Sequence, residues 1–488
     1  MAGGRKTWLA LAACALASTI GSATASGAVF DAHAPLSTEG SFESQVVSHG
    51  ALDPRVVSAR HLYCRNPDAE FICYKPRQIS RAYGFSPLIR RGENGSGVTI
   101  AIIDWTEDPT IDEDLATFDS RFKVPAPPSL EVVAPFGVTP FEASNPEDVT
   151  GSFEVSMDVE LAHATAPGAK IVLVLARSGE NEEIINTERY VVAHHLGDVV
   201  SMSYTETEEC ESASLVEEEQ SVFKEGVEDG ITFVAGSGDE GAAAPNCEYS
   251  APLSHPEVNI PASDPNVTAA GGSALTANFG SGRYISESVW NETTPSSVWP
   301  EHLVGGGGFS TLYATPKYQE GVPAITTQRG VPDVSDNAAA DGGMVFVWGS
   351  SGQSKEEEEK YGNYWISGGT SAAAPQWAGL VAIADQLAGH ALGNINPALY
   401  EIGKGSRYRE AFHDITEGNN SYPPVTGYSA APGWDPASGW GSPVASKLVP
   451  LLAASNAESG DQTAAAPSAH SRVRPRPEGV KHRFRPAR

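Results

Sequence analysis

At 488 residues, with 61 acidic against 32 basic side chains and a formal net charge of −29 at pH 7, the chain is long enough for an extensive core in one or two domains. It is too anionic to suit a nucleic acid partner. The same acidity fits a soluble exported protein, and one that works in acid, where carboxylates lose their charge.

Residues 1–25 read as a signal peptide: Arg5 and Lys6 supply the charged start, Trp8 to Ile20 the apolar run, and Ala23-Thr24-Ala25 the small-residue cleavage site. Leu11-Ala12-Ala13-Cys14 also looks like a lipoprotein box, so a lipid anchor through Cys14 is the alternative to plain secretion. No later segment is apolar and long enough to span a bilayer. Without the signal, Cys64, Cys73, Cys210 and Cys247 remain, an even set that suggests disulfides in an exported protein. Nearest neighbours would pair as Cys64–Cys73 and Cys210–Cys247; the other connectivities and free thiols stay open. Residues 26–62 carry no strong pattern and form a short N-terminal arm or prosegment.

From Val98 the pattern changes. Val98–Ile103 is a continuous apolar run ending at Asp104, as in a strand buried on both faces. Similar runs follow at Lys170–Ala176, Val199–Tyr204, Ile231–Ala235 and Val267–Ala270, with helical patterns at Phe153–Ala164, Ile184–Leu196 and Ala213–Val227 between them. Such alternation predicts βαβ units and a parallel sheet, whose sites gather at the carboxyl ends of the strands. Asp104 and Asp239 both stand just past strand ends. Gly305-Gly306-Gly307-Gly308 predicts a flexible or close-approach loop, and Glu356–Glu359 a solvated acidic one. From about Ala454 the composition turns to Ala, Ser and Pro and then Arg, so residues 453–488 form a disordered basic tail.

Two places carry chemistry. In Gly368-Gly369-Thr370-Ser371-Ala372-Ala373-Ala374-Pro375, small residues surround one hydroxyl, and a helix is expected right after it. A serine there has room for a substrate carbonyl, with its N–H at the positive end of a helix dipole. Glu154 and Asp158 stand four apart and share one helix face. The flanking Val155, Met157, Val159 and Leu161 make that helix apolar nearly all round, leaving little solvated surface for two carboxylates.

Together with Gly236-Ser237-Gly238-Asp239-Glu240-Gly241, these stretches resemble the sedolisins, the serine-carboxyl peptidases. Gly307-Gly308-Phe309-Ser310, Arg329-Gly330-Val331-Pro332-Asp333-Val334 and Gly433-Trp434-Asp435-Pro436 extend the match, which runs roughly from Tyr63 to Leu452. The resemblance implies a secreted, monomeric peptidase acting on proteins or peptides at acidic pH. Its fold would be a subtilisin-like three-layer α/β fold with a central parallel sheet, occupying residues 63–452. Ser371 would be the nucleophile, Glu154 the general base, Asp158 its partner in sharing a proton, and Asp239 the protonated oxyanion-hole acid. Asp104 falls where some relatives have a glutamate that extends the carboxylate chain, and Tyr204 where they have a tryptophan. One structural Ca2+ is implied, held by Asp414 and Asp435 and by the carbonyls of Ile415, Ala431 and Gly433. The arm before residue 63 is too short for the inhibitory prodomain many sedolisins carry. A subtilisin-type peptidase would need a histidine base in a His-Gly-Thr context. The one His-Gly here, His49-Gly50, lies in the arm, and His163 is read as structural. A catalytically silent binding protein on the same scaffold is the other alternative.

Overall fold

Apolar runs that alternate with amphipathic stretches must bury both faces of the strands they form, and here they do so as one sheet between two helical layers. The computed structural model describes residues 72–292, 302–350 and 363–459, with two-residue strands at 43–44, 57–58 and 61–62. The signal segment, Cys14, Cys64, Glu356–Glu359, most of the arm and the basic tail lie outside the described residues.

The sheet strands, in chain order, are β1 (Thr99–Asp104), β2 (Leu130–Val133), β3 (Lys170–Leu175), β4 (Val199–Met202), β5 (Thr232–Gly236), β6 (Val267–Ala277), β7 (Tyr284–Val289) and β8 (Val334–Asn337). Their spatial order is β7-β6-β5-β4-β1-β3-β2, with β8 also on β6; every pair is parallel except β6–β7. The longer helices are α1 (Ile111–Phe122), α2 (Pro146–Thr165), α3 (Asn181–His194), α4 (Ala213–Glu228), α5 (Thr370–Ala388), α6 (Asn396–Lys404) and α7 (Ala445–Ser459). No helix among the described residues is long and apolar enough to cross a membrane.

Strand alternation divides the core. Ile100, Ile102 and Val199 face α2, α5 and α7, packing with Phe153, Leu161, Trp377, Leu380 and Leu448. Ala101, Ile103, Val200 and Met202 face α3 and α4, packing with Val191, Val222 and Phe223. Each large apolar side chain buried this way stabilises the fold by about 1.5–3 kcal/mol. Helix α5 is buried on every side from Thr370 to Asp385, so it passes through the core rather than over it. It crosses α2 closely: a Cβ added to Gly379 would meet the Thr165 Cβ at 2.7 Å. That approach brings the Glu154 turn of α2 beside the first turn of α5.

The short strand Tyr204–Thr207 follows β4 and carries antiparallel partners on both edges, Asn259–Ile260 and Glu43–Ser44. Cys210 and Cys247 are disulfide-bonded across a separation of 37 residues, a closure worth about 3–4 kcal/mol on the chain-entropy account. Cys73 is disulfide-bonded as well.

Several elements carry no apolar run and were not expected. Strand β2 is an edge strand, with Val132 exposed. Strands β7 and β8 are polar, yet β7 is buried in part and β8 throughout. Glu287 of β7 accepts the hydroxyls of Tyr83 (2.6 Å), Ser273 (2.7 Å) and Ser442. Hydrogen bonds there do what apolar contact does elsewhere. The C-terminal helix also carries ordered chain past Leu452, to Ser459.

Candidate active site

The carboxyl ends of β1, β4 and β5 lie side by side, and the chain leaves β1 and β4 for opposite sides of the sheet, so a crevice opens there. Asp104 ends β1, Ser203 follows β4, and Ser237-Gly238-Asp239 follow β5. Helix α5 starts at the same rim, with Gly369 as N-cap and Ser371 in its first turn. The Ser203 hydroxyl lies 3.4 Å from the Ser371 carbonyl oxygen.

Helix α2 is started by Asn145, whose side chain accepts the Glu147 N–H, and by Pro146 at its first position. Because α2 is packed on all sides, the pair four residues apart is fully enclosed: Glu154 is 1% exposed and Asp158 0%. Asp104 joins them from β1, and it too is buried. Burial pushes the Glu154 carboxyl well above the ordinary range, and the neighbouring Asp158 and Asp104 push it further. Among the influences on Glu154, hydrogen bonding to the Ser371 hydroxyl is the one that favours the ionised form. Neither Glu154 oxygen has a partner in strict hydrogen-bonding geometry among the described residues. The Ser371 contact is therefore long or poorly aligned, as catalytic contacts often are before substrate binds. Asp158 is raised to about 8 by burial, against a hydrogen bond from Ser203; Asp104 is raised by burial and by Asp158. Three carboxyl groups in one dry space cannot all be ionised, so they share protons as a set.

Asp239 approaches from the other strand. Its Oδ1 accepts the Thr370 N–H at 2.8 Å and the Thr370 hydroxyl at 2.9 Å. Its Oδ2 is buried without a partner. Burial, then Glu240, raises its pKa to about 8, so the carboxyl keeps a proton and Oδ2 can donate it. The glycine loop fixes this position: Gly306 donates to the Gly238 carbonyl at 2.6 Å, and a Cβ there would lie 2.4 Å from the Ser237 oxygen. Of the two expectations for that loop, close approach is the one realised.

One expected position sits elsewhere, and the histidine read as structural is indeed held by structure alone. Tyr204 turns to the opposite face of the sheet, where its hydroxyl donates to Glu188 at 2.8 Å. His163 is buried with its Nε2 2.9 Å from Asp119, away from the serine. Sequence reading passed over Thr370 and Ser203, which hold Asp239 and Asp158, and Glu160, which accepts the Val347 N–H at 2.8 Å. Glu160 carried the signal that marked Glu154: an acid inside a helix apolar on every side. Thr370 and Ser203 carried none.

At the C-terminal loop, Asp414 accepts the Tyr408 hydroxyl at 2.7 Å and the Gly433 N–H at 3.0 Å, and Asp435 accepts the Ala431 N–H at 2.9 Å. The carbonyls of Ile415, Ala431 and Gly433 accept no hydrogen bond among the described residues. Two carboxylates and three uncommitted carbonyls drawn to one loop fit a hard cation.

The chain is similar to known proteins over most of its length. The Subtilase family matches over residues 145–397. Kumamolisin from Bacillus sp. (strain MN-32) is 33% identical over 424 residues, covering 82% of this chain and 69% of that one. Sedolisin from Pseudomonas sp. (strain 101) is 30% identical over 309 residues, covering 62% of this chain and 49% of that one. A solved structure of Pseudomonas sedolisin, complexed with two molecules of pseudo-iodotyrostatin, superposes with a TM-score of 0.67 at 26% identity, covering 79% of this chain and all of that one.

Proposed function

Since the chain belongs to the sedolisin family of serine-type peptidases, we propose that Ser371, Glu154, Asp158 and Asp239 hydrolyse peptide bonds by a serine-carboxyl mechanism in acid. What supports the reading is a fully buried Glu154 that neighbours the Ser371 hydroxyl and is crowded by Asp158 and Asp104. Ser371 Oγ attacks the scissile carbonyl carbon as Glu154 takes its proton. Glu154 then returns that proton to the leaving amine, and a water repeats the sequence to release the acyl group. Asp158 keeps a proton and shares it with Glu154, with Asp104 behind it, so the set holds a single negative charge. Asp239 Oδ2 and the Ser371 N–H at the start of α5 donate to the oxyanion. An extended substrate would add to the edge of Tyr204–Thr207 that Glu43–Ser44 pair with.

A histidine base would lose activity below about pH 6 as it protonates. The deciding experiment is a profile of kcat/KM against pH on a peptide library. Activity sustained between roughly pH 3 and 5, around carboxyl reference values, supports the carboxylate base. A profile that dies below pH 6 and peaks at neutral pH would overturn it. The disulfides support an exported enzyme, because such bonds persist in oxidising surroundings.

Asp239 gives a second expected result. Asp239→Ala should cost about 10²–10³ in kcat, the loss typical of one oxyanion donor. Asp239→Asn keeps an N–H donor that does not titrate, so it should retain most activity and lose the alkaline limb set by ionisation near pH 8. Equal losses in both variants would remove Asp239 from the oxyanion hole.

Asp414, Asp435 and the carbonyls of Ile415, Ala431 and Gly433 would hold one Ca2+. When bound, the ion supplies no chemistry to the reaction; it cross-links the loop, stabilising the state that binds it. Chelation should lower the thermal midpoint by several degrees, with recovery on adding Ca2+. Asp414→Ala should start low and ignore both treatments; a wild type indifferent to chelator would refute the site.

A further inference from the structure

Thr207 and Asn259 face each other across the short ladder beside the cleft, and Glu208 continues it by donating its N–H to the Val258 carbonyl at 3.2 Å. Glu209 and Glu257 therefore leave neighbouring strand ends on the same corner. His255 closes the group, its Nε2 lying 2.9 Å from Glu209 Oε2. One ligand atom from each of Glu209, His255 and Glu257 lies within 4.8 Å of the other two. The next residue after Glu209 is Cys210, whose disulfide to Cys247 ties this corner to the segment leading to His255.

Glu257 is the member that needs explaining, because it is only 4% exposed. A buried carboxylate is costly unless donors or a cation surround it. Its Oε1 accepts the Val258 N–H at 3.2 Å, and its side-chain hydrogen-bonding neighbour is another acid, Glu208. No lysine or arginine among the described residues pairs with it. The neighbouring Glu208 supplies no positive charge: its oxygens accept the Ser310 hydroxyl at 2.5 Å and the Thr311 N–H at 2.6 Å. The corner thus gathers two further carboxylates and an imidazole around a buried acid, with no positive charge supplied by the fold.

We propose that Glu209, His255 and Glu257 bind a divalent cation of the zinc class. One imidazole nitrogen with two carboxylate oxygens suits Zn2+, Co2+ or Ni2+, whereas Ca2+ takes six to eight oxygens. Three protein ligands leave a fourth tetrahedral position for water, and the exposed Glu209 and His255 give the ion a path from solvent. The ion would clamp the exit of Tyr204–Thr207 to the segment that carries Asn259, stiffening one wall of the cleft. It lies apart from the Asp414–Asp435 loop and takes no part in the proton transfers at Ser371.

Binding is read directly, so the test does not depend on the peptidase assignment. Full-length, Ca2+-saturated protein is titrated with Zn2+ at pH 7 by calorimetry, and with Co2+ by visible absorption. One site is expected, with the intense Co2+ bands of four-coordination. His255→Ala should weaken Zn2+ binding at least about tenfold, since even outer-shell changes at metal sites cost 10–100-fold. Glu209→Gln, at a surface position, is the second variant, and the metal-free thermal midpoint of each controls for folding. Replacing the tail histidines His470 and His482 by alanine should leave the site intact. Wild-type affinity in both His255→Ala and Glu209→Gln overturns the proposal, as does loss of binding on replacing the tail histidines alone.

Discussion

Ser371→Ala should lower kcat on a peptide substrate by about 10⁴–10⁶-fold, and Glu154→Gln by a comparable factor, because members of a catalytic unit fail together. The double variant should be no worse than either single one. Stability should move the other way for Glu154→Gln. The native carboxyl is buried, crowded by Asp158 and Asp104, and lacks a strict hydrogen-bond partner. A neutral amide of similar shape removes the like-charge crowding, so the thermal midpoint should hold or rise, most clearly above pH 6. Loss of activity without loss of fold is the signature sought, read by steady-state kinetics near pH 4 beside calorimetry. Ser371→Ala retaining activity within tenfold would exclude it as nucleophile. Glu154→Gln at the wild-type rate with Asp158→Asn inert would move the base to Asp158.

How much of this was legible depends on what each element uses for cohesion. Strands β1, β3, β4 and β5 are held by apolar contact on both faces, and their runs gave them away. Helix α2 could be read further: with valine, methionine and leucine on every side, its acids had no water to face, and Glu154 and Asp158 are enclosed as that argument requires. Strands β7 and β8 were opaque because they are held by Glu287 and Asn337 through hydrogen bonds whose partners lie far away in the chain. The site divides along the same line. The serine turn and the acid pair are local patterns, whereas the clasp of Thr370 on Asp239 joins residues 131 positions apart. Tyr204 shows the limit of motif position: one step of strand alternation from Ser203 sends it through the sheet to Glu188.

The protein should be most stable in acid and lose stability as pH rises from about 4 to 8. Asp158, Asp239, Glu188 and Asp385 are raised to about 8, and Glu206 and Asp114 to about 7, in each case first by burial. In the unfolded chain such groups ionise near pH 4. Between those values the native state holds more protons than the unfolded one, so unfolding becomes easier as pH increases. The stabilisation is complete below about pH 4 and is lost as pH climbs toward the folded values. Each group contributes about 1.4 kcal/mol per pH unit within its window; several together rival the whole 5–15 kcal/mol of an ordinary domain. His413 works against this at the acid end: burial lowers it to about 4, so its protonation should limit stability there. The pair Glu188 and Glu219 offers the cleanest test. They face each other between α3 and α4, with Tyr204 and Asp264 beside them, on the face of the sheet away from Ser371. Their oxygens Glu188 Oε2 and Glu219 Oε1 are buried without partners. The double variant Glu188→Gln, Glu219→Gln should flatten the fall in denaturant midpoint between pH 6 and 8 while leaving kcat at pH 4 unchanged. A wild-type midpoint level from pH 4 to 8, or a double variant with the wild-type slope, would mean that these acids find counter-charges this packing does not provide.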